Sequence, residues 1–172
     1  MKRFPLILLL LLVAGTAAAA ASPSRQPRGV PRRVTAICDS AIDYRAEPYA
    51  EGKVLFGRLG VPSDDHVLQS VRQGWARPFH YVTKFGFEIK AGTAVDIRVS
   101  PTWHSRMTVG GASSIRFLRC TSPAETPWIA YANLFTVKNP ACVSLIATVG
   151  GQSTRFRVPL GRPCPPLAPP SG

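Results

Sequence analysis

Residues 142–160 read CVSLIATVGGQSTRFRVPL, two runs of alternating hydrophobicity that meet at a pair of glycines. Val143, Leu145, Ala147 and Val149 fall on one side of an extended chain, because successive side chains of a strand point to opposite faces. Gly150-Gly151-Gln152 supplies the reversal, since tight turns need a left-handed backbone that glycine adopts at little steric cost. Phe156, Val158 and Leu160 answer from the returning run, with Arg155 and Arg157 on the other side. This stretch predicts an antiparallel hairpin with one buried face.

The same period of two recurs upstream. Phe85, Phe87 and Ile89 alternate with Lys84, Glu88 and Lys90, and beyond Ala91-Gly92 the residues Val95, Ile97 and Val99 alternate with Asp96 and Arg98. Two such runs around a short glycine-containing connection predict a second hairpin, with Glu88 and Asp96 facing solvent. Further strands are expected at 34–38, 53–59, 115–120, 128–131 and 134–137. One segment breaks the pattern. Ser63 can cap a helix, Asp64 and Asp65 suit its first turn, Val67, Leu68 and Val71 share a helical face, and Gly74 can end it. A short helix is therefore expected over 64–73, with a strand at 67–71 as the alternative. About seven to nine short strands with closely spaced turns place the chain in the all-β class, as an antiparallel β-sandwich of immunoglobulin-like architecture.

The first residues have a different composition. Lys2 and Arg3 precede an unbroken apolar run at 6–13, and alanines at 17–21 offer a small-residue cleavage site before Ser22. Residues 1–21 thus read as a signal peptide. An uncleaved membrane anchor is the alternative, since the apolar stretch approaches the roughly 20 residues that span a bilayer. Residues 22–33, with Pro23, Pro27, Pro31 and four arginines, read as a flexible basic leader. Residues 34–164 form the sandwich domain, and 165–172 form a proline-rich flexible tail.

Four cysteines in an exported chain predict two disulfides. Three pairings are open. Cys142 with Cys164 and Cys38 with Cys120 is favoured, because the first pair brackets the hairpin at 142–160. The formal charge of +12 falls to +10 without Lys2 and Arg3, and 16 of the 21 basic residues are arginine. A basic exported protein meets anionic surfaces, so an acidic envelope polymer or another envelope protein is the expected partner. Export argues against nucleic acid, and membrane contact is expected only through an uncleaved N-terminal segment. The bland reading of the charge is arginine-rich usage from a GC-rich genome.

The stretches Val54-Leu55-Phe56-Gly57-Arg58, Lys84-Phe85-Gly86-Phe87 through Lys90-Ala91-Gly92, and Val99-Ser100-Pro101 with Trp103 and Arg106 resemble a group of exported actinobacterial proteins of unknown function. So does the C-terminal part, from Pro140-Ala141-Cys142-Val143 to Leu160-Gly161-Arg162-Pro163-Cys164. The resemblance spans about residues 54–164 and departs at 107–111. It implies a secreted, disulfide-bearing β domain and brings no catalytic or binding residues with it.

Candidate chemistry is sparse. His66, His80 and His104 lack a nucleophile signature such as G-x-S-x-G, so ordinary structural histidines are expected and a small hydrolase is only a second alternative. Asp39, Asp43, Glu47, Glu51, Glu88 and Asp96 read as solvated carboxylates rather than a glycosidase pair. His80, His104 and Met107 are ligand types that copper carriers use, in a spacing that fits no motif. The remaining cluster, Trp75, Arg77, Phe79, His80, Tyr81 and Lys84 with Trp103 and Arg106, is the candidate binding surface, because aromatic faces flanked by cations hold sugars and polyanions. The rival reading has Trp75 and Trp103 plugging the ends of the sandwich. The expectation is a non-catalytic binding domain at the cell envelope, without cofactor. A small-ligand or copper carrier, with a pocket lined by Trp75, Trp103 or Trp128, is the alternative.

Overall fold

The computed structural model describes residues 30–49 and 51–166. The signal-peptide reading of 1–21, its anchor alternative, the leader over 22–29 and the tail over 167–172 lie outside the described residues.

Strands follow one another as β1 (Val34–Ala36), β2 (Asp43–Arg45), β3 (Gly52–Leu55), β4 (Leu59–Pro62), β5 (Val71–Arg72) and β6 (Tyr81–Lys90). They continue as β7 (Val95–Val99), β8 (Met107–Val109), β9 (Ser114–Phe117), β10 (Trp128–Val137), β11 (Ala141–Val149) and β12 (Gln152–Leu160). The chain is an all-β sandwich. One sheet runs β1-β9-β7-β11-β12; the other runs β2-β10-β6-β4-β3, with β5 added to β6 and β8 to β10. All pairings are antiparallel except β1 with β9.

The core lies between the sheets. Ile97, Val99, Phe117, Val143, Leu145 and Val158 face inward from the first sheet, and Leu59, Phe87, Ile89, Ile129, Tyr131 and Phe135 from the second, all with almost no exposure. Phe117 bridges the layers, with its ring 5.7 Å from Phe87 and 5.0 Å from Tyr131. Each such side chain contributes about 1.5–3 kcal/mol through burial. The hairpin at 142–160 forms as expected, in register from Ala141 opposite Leu160 to Val149 opposite Gln152. The disulfides are Cys38–Cys120 and Cys142–Cys164.

Four expectations are corrected. The run 85–99 is not a hairpin, because β6 belongs to the second sheet and β7 to the first. The connection at 91–94 crosses the end of the sandwich instead, held by the Gly92 N–H on Cys120 O at 2.7 Å. Alternation reports which side of a strand meets the core, and both arrangements satisfy it. The expected helix over 64–73 is absent. Leu68 joins the edge of β12 through its N–H to Pro159 O and the Gly161 N–H to Leu68 O, and β5 pairs with β6. Three apolar residues on so short a helix bury too little to offset nucleation, and edge pairing satisfies the same backbone groups. The run 53–59 contains a turn at Phe56-Gly57, both with positive φ, and so becomes β3 and β4. The two strands expected at 128–131 and 134–137 are one, β10, paired with β6 over its whole length. The end of the leader also has fixed partners, since Arg32 O accepts from the hydroxyls of Ser113 and Ser114.

Candidate functional site

The edge-to-edge register of four strands decides which of the candidate surface residues meet. Arg72 on β5, Tyr81 on β6, Val137 on β10 and Met107 on β8 form one row across the second sheet. One step further, the Gln73 N–H donates to His80 O and the Lys138 N–H donates to Arg106 O. The loop 74–79, carrying Trp75 and Arg77, hangs from this end and is anchored by buried Ala76 and Phe79. The 101–106 segment enters the same end through a short 3-10 turn at Pro101–Trp103. Trp75, Arg77, His80 and Tyr81 from one stretch of sequence and Trp103 and Arg106 from another are therefore gathered at one end of the sandwich. Lys84 is not: it stands higher on β6, opposite Leu134.

The two tryptophans differ. Trp103 is partly buried against the core, and the Arg106 guanidinium lies 4.5 Å above its ring and donates to Thr102 O. Trp75 is 67% exposed, a large apolar side chain left in water, and plugs nothing. Arg72 and Lys138 join the cluster although no local pattern marked them; only pairing with β6 and β8 brings them there. No Asp or Glu occurs between Asp65 and Glu88, between Asp96 and Glu125, or after Glu125. The segments that build this end thus carry arginine and lysine and no acid.

The other candidates are not assembled into sites. Met107 is buried in the core, and His104 Nε2 lies 2.9 Å from Val99 O. Among the described residues no group of three or more His, Cys, Asp or Glu could hold a metal. His66 Nε2 lies 3.8 Å from Glu51 Oε2, with both side chains in solvent. Asp96 differs in part from the expectation of a solvated carboxylate: its side chain is partly exposed, but the Oδ1 that lies 4.0 Å from Arg33 is itself buried.

Glu88 differs from the expectation of an exposed acid. It points to the outer face of the second sheet but is only 3% exposed, because the chain following β2 folds over it. The Tyr49 N–H donates to its Oε2 at 2.7 Å, and Arg45 Nε lies 3.7 Å from Oε1 while its guanidinium stacks 4.0 Å above the Tyr49 ring. Burial pushes the Glu88 carboxyl up from its ordinary range, against the Tyr49 N–H and Arg45, which pull it down. Sealed in this way, Glu88 holds a loop and faces none of the clefts.

Beside that loop is a cleft of about 860 Å³. It opens where the edge of β10 loses its neighbours, since β2 pairs only with 128–130 and β8 only with 135–137. Gly86, Ala130 and Ala132 are among its lining, with Ile42, Tyr49 and Leu134 as larger side chains. None of Trp75, Trp103 and Trp128 lines it, contrary to the pocket expected of a carrier. Comparison of the chain with protein-family models, with curated proteins and with solved structures finds no match.

Proposed function

We propose that the protein is a non-catalytic extracytoplasmic domain that binds an anionic polymer of the cell envelope at the end formed by Trp75, Arg77, Arg72, Lys138, Trp103 and Arg106. The observation that carries this reading is the 67% exposed Trp75 on an acid-free, arginine-bearing end. An exposed indole offers a face to a sugar ring, and cations around it neutralise phosphate or carboxylate groups of the same chain. Two disulfides fit an oxidising compartment, where such polymers are found.

The test is a titration with poly(glycerol phosphate) followed by tryptophan fluorescence. A saturable shift is expected at low salt and its loss at high salt, because exposed charges separated by more than about 10 Å are screened at 0.1 M ionic strength. Trp75→Ala should remove most of the fluorescence change, and Arg72→Ala with Arg77→Ala should weaken binding. Unchanged binding in both variants, or an unmoved spectrum at low salt, would overturn the reading.

A further inference from the structure

The interruption in the edge of β10 leaves one residue's peptide groups without a partner among the described residues. Ala130 O accepts from the Ile42 N–H and Leu134 O from the Gly110 N–H, both at 2.8 Å. Backbone groups of a strand alternate between its two edges, so Ala132, midway between, presents its N–H and C=O to this same edge. The opposite edge is the one bonded to β6. No described residue bonds either group of Ala132. Another polar group stands in the lining: Asn133, whose Nδ2 makes a long 3.4 Å contact to Tyr131 O. The rest of the lining is chiefly apolar, and Lys84 is its one charged residue among the described residues.

We propose that this cleft is a binding site for a small neutral molecule that is largely apolar and carries an amide edge. An amide presents a donor beside an acceptor, the complement of the N–H and C=O of one extended residue. Ala132 thus takes the amide as the flanking carbonyls take the Ile42 and Gly110 N–H groups, and Ile42, Tyr49 and Leu134 cover the apolar part. The volume lies within the roughly 300–1,000 Å³ of small-molecule sites. With no carboxylate in the lining among the described residues, a cation finds no counter-charge, and Lys84 is exposed to water, where pairing with an anion gains little. The site is separate from the basic end and does not rest on the polymer reading.

The test uses three probes of one chain length, octanamide, methyl octanoate and octanoate, with ¹⁵N amide shifts of the oxidised protein as readout. Octanamide should give saturable shifts centred on Ala132 and Asn133 and bind about tenfold tighter than the ester, which lacks the donor; one net hydrogen bond accounts for that factor. Ala132→Phe fills the cleft from an exposed strand position and should lose that binding while keeping the dispersion of the remaining amide signals. If Ala132→Phe unfolds the chain, the amide-to-ester ratio in the wild-type protein decides alone. Equal affinity for amide and ester, tighter binding of octanoate, or shifts centred elsewhere would each overturn the proposal.

Discussion

Glu88 is a carboxylate held out of water on a surface otherwise open to it, and its burial outweighs the Tyr49 N–H and Arg45. A raised carboxyl means that the folded chain holds the proton more tightly than the unfolded chain. Stability from this group is therefore present below the unfolded value, near 4.5, and is lost as pH rises through the folded one. Glu88→Gln keeps an acceptor for Tyr49 without the charge. Its melting temperature relative to wild type should climb from about pH 4 to about pH 7, and a flat or falling difference would show that Arg45 outweighs burial. Asp64 has the opposite sign. The Arg157 guanidinium at 2.8 Å, helped by Lys53 at 3.3 Å and opposed by partial burial, holds it below its ordinary 3.8. Its contribution is present above the unfolded value and is lost as pH falls through the folded one, so the wild-type advantage over Asp64→Asn should vanish in acid melts below 3.8. Tyr131→Phe removes a buried hydroxyl that has no hydrogen-bond partner among the described residues. Stability should rise, by up to about 1 kcal/mol in chemical denaturation, since an unmet buried polar group is unfavourable by that order.

At the scale of elements, β4 and β6 pack closely because β4 carries glycine opposite the buried acid. A Cβ on Gly60 would stand 3.0 Å from both Glu88 Cβ and Oε2. Gly60→Ala should therefore cost about 1–3 kcal/mol, as other overpacked sites do, and most of that added loss should disappear in a Glu88→Gly background, which removes both contacting atoms. Additive losses in denaturant titrations would place the strain elsewhere. The elements also show what a period of two can reveal. The faces of β11 and β12 were readable because a glycine turn leaves adjacent runs one simple partner. The faces of β6 and β7 were equally readable, with Phe87 and Ile97 both inward, but their neighbours were not. β7 pairs with β11 and β9, far along the chain, and no local pattern encodes that choice.

For the whole molecule, two covalent ties fasten the ends of strands that the sheet already pairs, β1 with β9 and β11 with β12. Cys38–Cys120 closes an 82-residue separation at the start of the domain, and Cys142–Cys164 pins the end of β12 beside the start of β11. Replacing Cys38 and Cys120 by serine should lower stability by about 2–4 kcal/mol in reversible unfolding, more than an exposed ion pair contributes. A loss under 1 kcal/mol would mean that the reduced chain is already constrained there. The candidate binding surface was legible in part. Trp75 to Tyr81 lie together in sequence, and Trp103 with Arg106 form a second patch, but Arg72 and Lys138 join them only through strand pairing, which also leaves Lys84 out. The cleft beside Ala132 was not legible at all, because a missing neighbour has no sequence signature. By itself the amino-acid sequence determined the strand-rich class, the inward faces, the even cysteine count and the acid-poor segments, since each is a property of local order or composition. Tertiary structure alone decided which sheet each strand joined, that Glu88 is covered, and where one backbone edge stays open. Those depend on hydrogen bonds between residues tens of positions apart, and a twofold alternation is blind to them.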